Sequence, residues 1–181
     1  VDIRLDGSES LPGSVFTVTS TATPDDLRRC LEELNLRTPP GLSATAIGVL
    51  DGSEKSLQEA VACVRWEIVV SGLTRLELED RIQRTLTATV VNVERERKGN
   101  IVTDDIRSNI QSLRMNDDGV LEAELLTQPR GIRPMELLRV LDPSLALIRA
   151  TRTHQWIDGP TGRDEPLMAG EFAVASRWAA L

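Results

Sequence analysis

The sequence predicts an α+β fold: a ferredoxin-like split βαβ unit with an extra hairpin strand, preceded by part of a second similar unit. Three observations carry the expectation. Runs of alternating or β-branched residues recur along the chain, as half-buried strands require. Helix starts with recognisable caps fall between these runs. An Asp118-Gly119 step joins two apolar runs, a strong short-range hairpin signal. Together they give the order βα–β(β)β–αβ over residues 63–157.

The elements follow in order. Val1, Ile3 and Leu5 alternate, and Val15 to Thr19 repeats the pattern, so both read as strands. Thr23-Pro24-Asp25-Asp26 offers a cap, a proline at the first helical position and acids that complement the helix dipole. Leu27, Cys30, Leu31 and Leu34 then form one apolar stripe, in which Cys30 reads as a small buried hydrophobe. Pro39-Pro40-Gly41 stops the helix. Leu42 to Leu50 resumes as a strand, and a short helix follows near Leu57 to Val61.

Cys63 to Val70 reads as a strong strand. Thr74 and Glu77 make a capping box for a helix with Leu78, Ile82 and Leu86 on one face. Thr87 to Glu94 reads as a strand, Arg95 to Asn100 as a polar tip and Ile101 to Thr103 as the return. A helical turn is expected near Asp105 to Ile110, then strands near 111–115 and 120–126. Pro134 opens a helix with Leu137, Leu138 and Leu141 inward, and Leu145 to Ile157 closes as a strand. Asp158 to Gly162 reads as a loop. The organisation expected is therefore residues 1–62, 63–157 and a C-terminal extension, 158–181. The chain opens within a strand, as a larger domain lacking its N-terminal portion would.

Composition narrows the function. The 181 residues include one histidine and two cysteines, too few for a disulfide scaffold or a common metal site. No cofactor and no metal is expected, and no catalytic residue is assigned within this chain. His154 sits in a polar strand and needs no special role. The adjacent acids Asp25-Asp26, Asp104-Asp105 and Asp117-Asp118 point to different faces and serve caps and turns. No P-loop or dinucleotide-binding pattern occurs. No apolar run is long enough to span a bilayer and no signal segment leads the chain, so the cytoplasm or an organelle matrix is the expected location.

The net charge of −7 is unevenly spread: residues 1–94 carry −6, 95–155 carry +1 and 156–181 carry −2. A basic face can therefore come only from the middle segment. Arg95, Arg97 and Lys98 crown one connection, Arg107 follows, and Arg130 and Arg133 precede a helix N-terminus, where free N–H groups favour an anion. Arg149 and Arg152 can add to the same side. Glu94, Glu96 and Asp104-Asp105 lie close enough to compensate much of this charge. No Phe or Tyr interleaves with the arginines, so stacking on single-stranded bases gains little support.

Residues 93–156 carry a more specific pattern. Val93-Glu94-Arg95-Glu96-Arg97-Lys98-Gly99, then Asp105-Ile106-Arg107, then Gly131-Ile132-Arg133-Pro134-Met135-Glu136-Leu137-Leu138, then Ile148-Arg149-Ala150-Thr151-Arg152 resemble a radical-SAM-associated domain of unknown function. The resemblance implies a domain C-terminal to a cobalamin-binding radical SAM module or beside it, and a connection with RNA or ribosome metabolism. The radical SAM cysteine motif is absent from this chain, as is the family's N-terminal portion.

The function expected is a non-catalytic accessory domain that binds RNA or a ribonucleoprotein through Arg95, Arg97, Lys98, Arg107, Arg130 and Arg133, with a radical SAM module in cis or in trans. One alternative is a protein–protein subunit of a large assembly, docking through Phe172, Val174 and Trp178 of the apolar tail. Another is a fragment of an RNA-modifying enzyme whose catalytic residues lie upstream.

Overall fold

The computed structural model describes residues 3–4, 17–18, 23–40, 42–44, 46–48, 57–159, 162–166 and 172–173. The chain divides into two compact units, residues 1–61 with 156–181, and residues 62–155. In chain order the strands and helices are β1 (Ile3–Arg4), β2 (Thr17–Val18), α1 (Pro24–Arg37), β3 (Ile47–Gly48), α2 (Leu57–Ala60), β4 (Val61–Ser71), α3 (Arg75–Thr87), β5 (Asn92–Arg97) and β6 (Asn100–Asp105). A 3₁₀ turn at Arg107–Asn109 leads to β7 (Ile110–Met115), β8 (Leu121–Leu126), α4 (Pro134–Leu141), β9 (Ala146–Gly159), β10 (Gly162–Asp164) and β11 (Phe172–Ala173). The fold is α+β, and its largest sheet is antiparallel with five strands in the order β10-β9-β4-β8-β7.

In the first unit, α1 begins as its sequence dictates. The Thr23 hydroxyl accepts the Asp26 N–H while the Asp26 carboxylate accepts the Thr23 N–H. Leu27, Leu31 and Ile47 form the apolar centre, with Cys30 and Ala44 packed against it. Asn35 pins the returning chain, donating to the Ala44 carbonyl at 2.9 Å and accepting the Ala44 N–H at 2.7 Å. β3 pairs in parallel with β11, and β1 pairs antiparallel with β2.

The second unit is built on period-2 patterning. In β4 and β8 the residues Val64, Trp66, Ile68, Leu121, Ala123 and Leu125 share one face and are buried. The other face carries Arg65, Glu67, Glu122 and Glu124, where Arg65 reaches Glu124 across the strands. β7 and β8 form a hairpin through Asn116 to Gly119, closed by the Asn116 N–H on the Val120 carbonyl, and Gly119 takes a φ of +76°. α3 packs on β7 and against α4, and the buried stripes Leu78/Ile82 and Leu137/Leu138/Leu141 complete the core.

Several sequence expectations need correction. α3 continues to Thr87, so the strand placed at Thr87 to Glu94 begins only at Asn92. Its polar "tip" is mostly strand: Arg95 to Arg97 remain in β5, and only Lys98-Gly99 turn the chain, with φ of 50° and 80°. Two successive positive φ values make the tight two-residue hairpin whose twist suits its strands. The extra hairpin strand does not join the main sheet, because β5 and β6 pair only with each other among the described residues. The fifth strand of that sheet is instead β10, which begins at Gly162, the end of the expected loop, while β9 runs on through Asp158 and Gly159; Asp164 pairs with Ile157. In residues 1–60 the described strands pair as β1 with β2 and as β3 with β11.

Candidate functional site

A two-stranded ribbon is marginal by itself in water, so the β5–β6 hairpin needs an anchor. Its register pairs Val93 with Asp104, Arg95 with Val102 and Arg97 with Asn100, which puts these six residues on one face. That face is turned inward at its base: Val93 is buried and the Arg95 side chain is only 8% exposed. The opposite face, with Glu94, Glu96, Ile101 and Thr103, is exposed. The alternating Glu-Arg-Glu-Arg sequence is thus sorted by charge onto two sides of the ribbon.

Arg95 is the anchor. Its Nη2 donates to the Gly131 carbonyl at 3.2 Å and to Glu136 Oε2 at 3.0 Å, and its Nη1 reaches Asp104 Oδ2 at 3.4 Å. The Nε has no acceptor among the described residues. Arg130 approaches the same Asp104 carboxylate from outside, at 3.1 Å. The fork geometry of guanidinium lets a single side chain tie the hairpin to the start of α4. Glu136 also accepts the Arg133 N–H at 2.8 Å, so a carboxylate of this chain already occupies the first turn of α4.

The base of the hairpin is fixed by Asp105. Its carboxylate accepts the Val91 N–H at 2.8 Å and the Arg107 N–H at 3.0 Å, and these two amides, with the Val91 bond first, hold its pKa below the usual carboxylate range. Arg107 itself is turned to the backbone, donating to the Leu86 carbonyl at 2.7 Å and the Ile110 carbonyl at 3.2 Å.

The six cations singled out in the sequence therefore separate into groups. Arg95 and Arg107 are committed to internal partners, and Arg130 is shared with Asp104. Arg97, Lys98 and Arg133 are exposed, and the side chains of Arg97 and Lys98 make no ion pair or hydrogen bond among the described residues. The Arg95 clamp ties the strand that ends at Arg97 to the Gly131 segment, which Arg130 precedes and Arg133 follows in sequence.

Sequence reasoning missed Asn109. It is buried, and its amide donates to the carbonyls of Gln128 at 3.1 Å and Arg130 at 3.3 Å, holding the loop that presents Arg130. Its only sequence signal is an Asn directly ahead of the apolar Ile110 that opens a strand. A second feature was also missed, a cleft of about 750 Å³. Its walls are the second half of α3, residues Ala88 to Glu94 and the last turn of α4, with Arg81, Arg84 and Arg139 among its cations.

Elsewhere, His154 on β9 is half-buried beside the Thr153 hydroxyl, at 3.1 Å. Arg152 stacks over the Trp66 ring, 5.2 Å from its centroid, and burial lowers its pKa. Of the apolar tail, Phe172 belongs to β11, paired in parallel with β3 of its own unit; Val174 and Trp178 lie outside the described residues. Among the described residues no group of His, Cys, Asp and Glu could hold a metal ion, and no helix is long and apolar enough to cross a membrane.

No curated protein and no solved structure matches this chain. One family model does, over residues 12–134, which takes in the whole β5–β6 hairpin, the Asn109 loop and all six cations. On that match, which covers most of its length, the chain belongs to DUF2344, the family described as an uncharacterized protein conserved in bacteria.

Proposed function

We propose that this chain is a non-catalytic accessory domain that binds RNA or a ribonucleoprotein, with the β5–β6 hairpin as its contact. The observation that supports the reading is the Arg95 clamp. It holds a ribbon rigidly by its base and leaves Arg97 and Lys98 exposed at the end, with Arg130 and Arg133 beside the clamp. Phosphate binding needs cations at the surface and little else, which suits a chain whose other segments are acidic. Arg95 and Arg107, by contrast, act as positioning residues in this reading.

The strand–helix–strand–strand–helix–strand succession β4-α3-β7-β8-α4-β9, in the sheet order β9-β4-β8-β7, supports a ferredoxin-like reading of the second unit, with the hairpin inserted after α3. The order of the motifs from Val93 to Arg152 supports association with a radical SAM module, supplied in cis or in trans. A pull-down with that module, with and without ribonuclease, separates a protein contact from an RNA-mediated one.

The test is charge reversal at exposed positions. The triple variant Arg97→Glu, Lys98→Asp, Arg133→Glu is expected to weaken binding to single-stranded RNA and to lower the salt slope by about 2. Arg130→Glu with Arg133→Glu is expected to act in the same direction. RNA affinity and salt slope unchanged in both variants would overturn the reading.

A further inference from the structure

The end of the hairpin carries a polar group as well as its cations. By the register, Arg97 stands directly opposite Asn100, and both are exposed on the face that holds Arg95, Val102 and Asp104 farther down. The Asn100 side chain makes no hydrogen bond among the described residues. Arg130 reaches the same face from its loop: it meets Asp104 at 3.1 Å and keeps its side chain 42% exposed. Along β6 the step from Asn100 to Asp104 spans about 14 Å at strand rise. Two exposed cation sites therefore lie on one side of the ribbon, at a separation that the Arg95 clamp fixes. The other side carries Glu94 and Glu96, exposed and without ion pairs among the described residues, and repels phosphate.

This arrangement discriminates between kinds of RNA. A single strand loses much freedom when it is ordered on a protein, and bases stacked on aromatic side chains usually offset that loss. Residues 92–109 and 127–136, which build the hairpin and the loop beside it, contain no Phe, Tyr, Trp or His. The two described tryptophans are engaged elsewhere, Trp66 under Arg152 and Trp156 under Arg163. A duplex is ordered before it binds, so cations at a fixed spacing meet phosphates that are also fixed. Its wide, shallow minor groove displays 2′-hydroxyls, and a primary amide can both donate to and accept from such a group.

Resting on the RNA reading above, we propose that the ligand is double-stranded RNA, bound across its minor groove by the end of the ribbon. Arg97 and Arg130 take phosphates of the two backbones, Lys98 adds charge at the turn, and Asn100 bonds a 2′-hydroxyl between them.

The probes are a fluorescein-labelled RNA duplex of about 16 base pairs, its labelled strand alone, and a DNA duplex of the same sequence, each titrated with the full chain at one salt concentration. Anisotropy is expected to give an affinity for the RNA duplex at least about tenfold above that for the strand. The RNA duplex should also bind at least about threefold tighter than the DNA duplex. Asn100→Ala should lower RNA-duplex affinity to the DNA level and leave DNA-duplex affinity within about twofold, a pattern that general unfolding would not produce. Arg97→Glu should weaken binding of both duplexes by about tenfold. A strand bound as tightly as the duplex, with Arg97→Glu weakening both, would overturn the duplex assignment and leave the RNA reading standing. Equal affinity for RNA and DNA duplexes would overturn the role of Asn100. No binding of either RNA probe, or binding that ignores Arg97→Glu, would overturn the RNA reading and the duplex assignment together.

Discussion

Arg95→Met removes the clamp while keeping most of the side-chain volume. Arg95 is 8% exposed, Glu136 18% and Asp104 33%, so the charges it neutralises are screened little at Glu136 and moderately at Asp104. Breaking a fully buried ion pair from one side costs about 3–5 kcal/mol. Here Asp104 retains Arg130 and Glu136 retains the Arg133 N–H, which lowers the expected cost to about 2–3 kcal/mol. For a chain of this size that corresponds to a fall in Tm of about 5–10 °C. Arg130→Met removes a half-exposed ion pair and should cost less than about 1 kcal/mol. Urea denaturation followed by circular dichroism, with hydrogen exchange at Val93 and Val102 to localise the loss, checks both values. A double-mutant cycle of Arg95→Met with Glu136→Gln should return a coupling of about 1 kcal/mol or more. Equal losses for Arg95→Met and Arg130→Met, or zero coupling, would refute the clamp.

Two further outcomes follow from local geometry. Gly72→Ala should destabilise the second unit by about 1–3 kcal/mol, because φ is +115° and a Cβ would meet the Ser144 carbonyl oxygen at 2.5 Å; an unchanged melting temperature would contradict this. Asp105 has a folded pKa below its unfolded value, so its contribution is fully present above about pH 4–5 and is lost as the pH falls through the lowered value. Asp105→Asn should therefore flatten the acid limb of a stability–pH profile, and an identical limb in the variant would count against the Val91 and Arg107 amides as its cause.

The main sheet of the second unit was readable because its local signals agree. Thr74 and Glu77, the β4 run and Asp118-Gly119 each specify one conformation, and burial reinforces all three. The hairpin was less readable. Asn92 to Arg97 has too few apolar residues for period-2 patterning to fix its limits, so the expected strand ended at Glu94, and its Lys98-Gly99 turn uses a residue that rarely adopts positive φ. The role of Arg95 was invisible for a different reason: Gly131 and Glu136 lie 36 and 41 positions away, so the pairing is a product of tertiary structure. A cationic pattern in sequence cannot separate an arginine that anchors from one that greets a ligand. Strand β10 escaped because it is three residues long and begins at a glycine.

The sorting of Glu94, Arg95, Glu96 and Arg97 onto opposite sides of the ribbon also decides its alignment. A slip of one residue along β5 would exchange its two faces. Glu94 or Glu96 would then take the place of Arg95 beside Glu136 and Asp104, bringing three carboxylates together with Arg130 the nearest cation. A hydrophobic ribbon defends its register by burying the right face; this one, with Val93 alone buried in β5, defends it by the repulsion waiting one step away. High salt should weaken that protection before it loosens the core, so misalignment of the hairpin is expected to be the first defect that ionic strength reveals.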